Sequence, residues 1–242
     1  MGRILCVMNQ KGGVGKTTTA VNLGACLSRA GFNTLIVDLD PQCNATSGLG
    51  QKPVERHPLL TGAVWNTAVL PTGWSCLSVL PGCRSFADVS KLASEESSRH
   101  LQTLLTSGLH AYDFVLMDCP PSLGPLTKTA IACSTQVLIP IQCEYYAMEG
   151  VAQMVRAIPK QMWYENGILL TMVDPTLELT YEVEEQVREF FGGAVYETVI
   201  PRDVALSEAS SFGKPVTEYA PRSRGARAYI ELCMEVLENG QE

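Results

Sequence analysis

The stretch NQKGGVGKTTTAVNLG, residues 9–24, decides the fold. It follows a short, mostly apolar run, RILCVM (3–8), which fits a buried strand. Beyond Gly15 the apolar residues Ala20, Leu23 and Leu27 recur at intervals of three and four, on one face of a helix. The glycines therefore sit where a strand turns into a helix. Backbone N–H groups of such a loop point inward and the helix N-terminus adds partial positive charge, so phosphate is held without side-chain acids. The pattern G-x-x-x-x-G-K-[ST] asks for glycine at position 10, where this chain has Gln10; Gly12, Gly13 and Gly15 supply the same backbone freedom. The loop is read as a nucleotide cradle formed by Lys11, Gly12, Gly13, Val14, Gly15, Lys16, Thr17 and Thr18. In it Lys16 reaches the β- and γ-phosphates and the Thr17 hydroxyl ligates Mg²⁺.

Outward from the loop, strand-like and helix-like segments alternate. The strand-like runs are 33–40, about 76–80, 112–118, 136–141, 167–173 and 194–200, and a helix-like region covers about 86–109. Continuous apolar strands separated by helices predict an α/β, single-domain P-loop NTPase spanning 1–242, its twisted, mostly parallel sheet covered by helices on both faces. Ligands then collect at the carboxyl ends of the strands. The segment 41–75, rich in turn residues, resists assignment.

Two acidic motifs fall at those strand ends. DLDPQCNAT (38–46) carries Asp38 and Asp40, candidates for orienting an attacking water and for the Mg²⁺ shell. LMDCPPSLG (116–124) ends an apolar strand in Asp118, placed to hold Mg²⁺ through a water. A strand-ending aspartate can also serve only as a cap or turn residue.

The form K-G-G-V-G-K-T-T is a deviant Walker A motif and resembles the ParA/MinD group of ATPases. IPIQCEYYAMEG (139–150) and the run from Val199 to Leu237 resemble the Soj-type ParA proteins in particular, and the likeness extends from residue 3 to about 238. The resemblance implies that Lys11 reaches the nucleotide of a second subunit, as an arginine finger does, so that ATP binding makes a homodimer. It assigns Asp40 to hydrolysis, leaves Asp38 beside the metal shell, and puts Pro201, Arg202 and Asp203 around the adenine. The Pro-Pro-Ser-Leu-Gly run after Cys119 resembles the family's γ-phosphate switch. Nonspecific DNA binding by the ATP-loaded dimer and release through a ParB-type partner are further implications. Arg188, Lys214, Arg222, Arg224 and Arg227 are the DNA candidates, Arg202 being claimed by the nucleotide.

Composition bears on those implications. The chain has 242 residues, 18 basic against 25 acidic, for a formal charge of −7. That balance, and Glu218 where relatives often carry a basic residue, favours a second reading: a ParA-like ATPase that positions a protein cargo. A MinD-like membrane switch would need a basic amphipathic terminus, whereas GARAYIELCMEVLENGQE (225–242) ends acidic. The nine cysteines are scattered without a C-x-x-C pair, which fits small buried hydrophobes in a reducing cytoplasm rather than an iron–sulfur site. A biosynthetic ligase on the same fold is disfavoured by the Soj-like carboxyl half. With a strand starting almost at Met1 and no long apolar run, the expected location is cytoplasmic, at the nucleoid.

Overall fold

The computed structural model describes residues 2–61, 63–87, 102–103, 106, 111–144, 154, 158 and 167–239. Their strands are β1 (Arg3–Val7), β2 (Thr34–Asp38), β3 (Leu70–Pro71), β4 (Leu77–Leu80), β5 (Phe114–Asp118), β6 (Gln136–Gln142), β7 (Ile168–Val173) and β8 (Ile200–Pro201). They form one sheet in the order β3-β4-β2-β5-β1-β6-β7-β8. Every pairing is parallel except that of β3 with β4.

The helices are α1 (Lys16–Arg29), α2 (Asn44–Gly48), α3 (Pro58–Thr61), α4 (Pro125–Cys133), α5 (Glu178–Phe191), α6 (Val204–Ser211), α7 (Val216–Tyr219) and α8 (Arg224–Glu238). Parallel strands need crossovers, and these helices cover both faces of the sheet. The parity of the apolar runs shows it. Ile4, Cys6, Leu35, Val37, Val115 and Met117 pack into one core with Leu126 of α4 and Val187 of α5. Their neighbours Leu5, Val7, Ile36, Phe114 and Leu116 pack into the other, against Leu23 and Leu27 of α1 and Leu232 and Val236 of α8. A continuous run of apolar residues is thus two interleaved faces, each with its own helical cover. Gly24 lets α1 lie close, since a Cβ there would stand 2.9 Å from Ile36 Cδ1.

Two expectations change. The run 194–200 is not a continuous strand: Gly192–Ala194 is a 3-10 turn, Val195 makes one bridge to Ile168, and β8 begins only at Ile200. The Glu235 carboxylate of α8 accepts from the N–H groups of Glu197 at 2.7 Å and Thr198 at 3.0 Å, taking donors that a ladder would need. Of the helix expected over about 86–109, Arg84–Ala87 is a 3-10 turn and most of the remainder lies outside the described residues. Residues 145–150 of the Soj-like run also lie outside them. The unassigned 41–75 segment supplies α2, α3, a 3-10 turn at Trp65–Ala68 and β3.

Candidate nucleotide-binding site

The carboxyl ends of β1, β2 and β5 meet at one place, because Val7 and Asp38 both stand in register with Asp118. The loop after β1 wraps over this point and enters α1. Gly13 at φ +77° and Gly15 at φ +90° occupy the left-handed region, where a side chain would be strained, and Gly15 is the N-cap of α1. Asn9 fastens the start of the loop: its amide donates to the Pro140 carbonyl at 2.7 Å and its Oδ1 accepts the Lys11 N–H at 2.9 Å. Farther along, the Thr171 hydroxyl of β7 donates to the Val14 carbonyl at 2.9 Å.

The two lysines of the loop lie in different environments. Lys16 is buried, its ammonium donating to the Lys11 carbonyl at 3.0 Å. Burial lowers its pKa, and the nearby Asp118 and Asp40 pull in the opposite sense. Lys11 is exposed and forms an ion pair with Glu144. The ammonium of Lys16 is therefore available to a phosphate held by its own loop, while that of Lys11 faces outward.

Asp118 is fully buried at the end of β5. Its Oδ2 accepts the Thr17 hydroxyl at 2.7 Å, and its Oδ1 has no hydrogen-bond partner. Burial first, and then Asp38, pushes the Asp118 carboxyl well above the usual carboxylate range. A hydroxyl beside an unsatisfied buried carboxylate oxygen is a fitting pair of hard oxygen donors for Mg²⁺.

Asp38, expected beside the metal shell, has both carboxylate oxygens engaged by the protein. Its Oδ2 accepts the Thr46 N–H at 2.8 Å and hydroxyl at 2.6 Å, and its Oδ1 accepts the Asp40 N–H at 3.2 Å. Thr46 in turn accepts the Gly82 N–H at 2.8 Å. Both oxygens of Asp38 are spent folding the 38–46 turn onto the sheet. Burial raises its pKa to about 6, against the lowering effect of these hydrogen bonds. Asp40 is buried too and accepts the Gln42 N–H at 2.8 Å. It borders a cleft of about 260 Å³ with Gly12, Gly13, Lys16, Thr17 and Pro121 of the switch-like run.

A second cleft of about 200 Å³ adjoins the first through Gly15, Thr18 and Met172, and Pro201, Arg202 and Asp203 line it. Asp203 is already engaged. One oxygen accepts the Ala205 N–H at 3.0 Å as the N-cap of α6, and the other accepts the Gly225 N–H at 2.8 Å. It builds the wall of the cleft by joining α6 to α8. Met172 escaped the sequence reading, as did Thr46 and Thr171. Nothing in a strand-like GILLTMV run signals that Met172 adopts φ +54°.

The cationic candidates are not equivalent. Arg188 is withdrawn from the surface set: it donates to the Glu184 carboxylate at 2.9 Å and to the carbonyls of Tyr196 and Glu197 at 3.1 and 3.2 Å. The exposed side of α5 around it carries Glu178, Glu182, Glu185 and Glu189. Arg224 donates to the Arg202 carbonyl at 3.2 Å. Lys214, Arg222 and Arg227 are exposed. Glu218 pairs with Arg29 at 3.0 Å.

A family model described as an AAA domain matches residues 2–169. The sporulation initiation inhibitor protein Soj of Bacillus subtilis is 44% identical over 253 residues, covering 99% of this chain and 100% of Soj. The chromosome-partitioning ATPase Soj of Thermus thermophilus is 45% identical over 249 residues, 99% of this chain and 97% of that protein. The chain belongs to the ParA/Soj family. The wider fold is shared with a cobyrinic acid a,c-diamide synthase from Mycobacterium smegmatis, solved with an ATP analogue and magnesium. That structure superposes at a TM-score of 0.83 with 31% identity, over 100% of this chain and 97% of the synthase. The synthase is 31% identical to this chain, whereas the two Soj proteins are 44% and 45% identical over nearly the same length. Among the described residues, no helix is long and apolar enough to cross a membrane.

Proposed function

We propose that the protein is an ATP-dependent dimeric switch for chromosome or plasmid partitioning. One observation carries this reading: of two lysines in one phosphate loop, Lys16 lines the cleft, whereas Lys11 is exposed and pairs with Glu144 outside it. A cation excluded from its own site has a use when a second subunit closes over it.

In this cycle the N–H groups of residues 12–18 and the Lys16 ammonium bind the ATP phosphates, while Pro201 and Arg202 flank the base. Thr17 and Asp118 would hold Mg²⁺, which would neutralise phosphate charge. Asp40, in the lining of the cleft, orients the water that attacks the γ-phosphate. Lys11 of the partner subunit adds charge to the transition state, a contribution worth about 10³- to 10⁵-fold where an arginine finger makes it. The closed dimer binds DNA through phosphate contacts from Lys214, Arg222, Arg224 and Arg227, without base readout. A ParB-type partner accelerates hydrolysis, and the ADP form lets go.

The test is DNA binding by Asp40→Ala protein in ATP and in ADP, at 50 and 200 mM salt, with oligomeric state followed by light scattering. The expected outcome is a dimer in ATP only, binding DNA in ATP only. Six or more phosphate contacts weaken the complex by about 10³-fold between the two salts. A monomer in ATP would remove the switch. A dimer that ignores DNA would leave the ATPase and move its cargo to a protein. The Arg29–Glu218 pair and the charge of −7 favour that second reading.

A further inference from the structure

Strand β7 breaks its own alternation where it meets the phosphate loop. Leu169 packs on the α1 side of the sheet and Leu170 on the other. Thr171 returns to the α1 side, as parity requires. Met172 should then turn away, yet it lines both clefts beside Gly15 and Thr18. The cause is a bulge: Thr171 pairs with Ile200 and Val173 with Pro201, a two-residue advance against one, and Met172 takes φ +54° to absorb it. A bulge re-aims a side chain at the cost of local strain. Here it puts two consecutive residues on the nucleotide side.

Thr171 reaches the loop by ordinary alternation. It is buried, its hydroxyl donates to the Val14 carbonyl at 2.9 Å, and its methyl would be 3.8 Å from a Cβ on Gly15. After the bulge, the Val173 carbonyl accepts the Arg202 N–H at 3.0 Å, fixing the segment that lines the second cleft. One irregular turn of β7 thus touches both halves of the candidate site.

We propose that Thr171 is a positioning residue for the phosphate loop, holding the Val14 peptide so that the N–H groups on either side of it face the phosphates. The inference rests on nucleotide binding by this loop and not on DNA or a dimer. Removal of the hydroxyl leaves the Val14 carbonyl without its donor and the loop free to rotate that peptide.

The experiment is calorimetric titration of the full chain with Mg²⁺ and a non-hydrolysable ATP analogue, for wild type, Thr171→Val and Thr171→Ser, with ³¹P spectra of bound ADP. Thr171→Val should bind about tenfold more weakly and displace the β-phosphate resonance, whereas Thr171→Ser stays within about twofold of wild type and keeps the resonance. If valine prevents folding, the ratio of Thr171→Ala to Thr171→Ser affinities isolates the hydroxyl and should again be about tenfold. Wild-type affinity and spectrum in the valine variant, with only a lowered melting temperature, would reduce Thr171 to a structural role and overturn the proposal. Serine that fails to restore binding would overturn it as well. Failure of the wild-type chain to bind the analogue would instead refute the nucleotide reading on which it stands.

Discussion

The phosphate cleft and the arginine-bearing surface use the same kinds of residue under opposite physical conditions. In the cleft, charges are buried, few and individually accounted for: Lys16 on a carbonyl, Thr17 on Asp118, Asp38 on Thr46. On the surface they are exposed and compensated, as in the pair Arg29–Glu218. Burial makes each misplacement costly, so spacing in the sequence fixes the arrangement. Exposure makes ion pairs weak and exchangeable, so the sum of charge over a patch decides what binds.

The largest expected effect lies in the cleft. Lys16→Ala removes a charged donor from a buried site and should weaken ATP binding by about 100-fold, read by calorimetry. A loss under about threefold would break the comparison, because the cleft would then be as tolerant as the surface. On the surface, Arg222→Glu with Arg227→Glu should reduce the salt dependence of DNA binding by about two phosphate contacts, while Arg188→Gln leaves that slope unchanged. Arg188→Gln should instead destabilise the fold by about 1 to 2 kcal/mol in chemical denaturation, since it strands two carbonyls and a glutamate. A changed salt slope in Arg188→Gln would return that residue to the DNA surface.

The smallest effect sharpens what burial does. His57 is buried, with Nδ1 accepting the Leu59 N–H at 3.1 Å and Nε2 without a partner, and burial lowers its pKa to about 4. The folded state therefore takes up its proton later than the unfolded chain does. Stability from this group is complete above about 6.5 and is lost as pH falls towards 4. Asp38, raised to about 6, has the opposite slope: it favours the folded state on acidification and loses that contribution as pH rises through 6. His57→Asn keeps a side-chain acceptor for the helix start but cannot titrate. It should change the slope of unfolding free energy between pH 4 and 6.5 by up to about 1.4 kcal/mol per pH unit. Identical slopes in the two proteins would show that His57 is not buried neutral.

Much of this was legible in the sequence, for reasons that particular residues make plain. The central strands were, because parallel strands covered on both faces need uninterrupted apolar runs, and FVLMD of β5 is one. The phosphate loop was, because glycine is needed where φ is positive. Strand β8 was not, since its curtailment depends on Glu235, 37 residues away from the Thr198 N–H that it accepts. The resemblance already separated Asp38 from Asp40, but the bonds that engage Asp38 were hidden, because they come from Thr46 through a turn that sequence patterns do not encode. Met172 breaks its strand through a register shift against β8, and a register is a property of two strands together.

Asp38 and Asp118 end adjacent strands side by side, both buried, and the neighbouring ammonium belongs to Lys16. Burial and the proximity of the two carboxyls raise the pKa of both, so ionising the pair in this poorly hydrated corner opposes folding. A ligand that brings a cation to Asp118 relieves the repulsion and is coupled to folding by the same free energy. The melting temperature of the protein would then act as a gauge of occupancy, and its lifetime in a cell would follow the supply of metal-bound nucleotide.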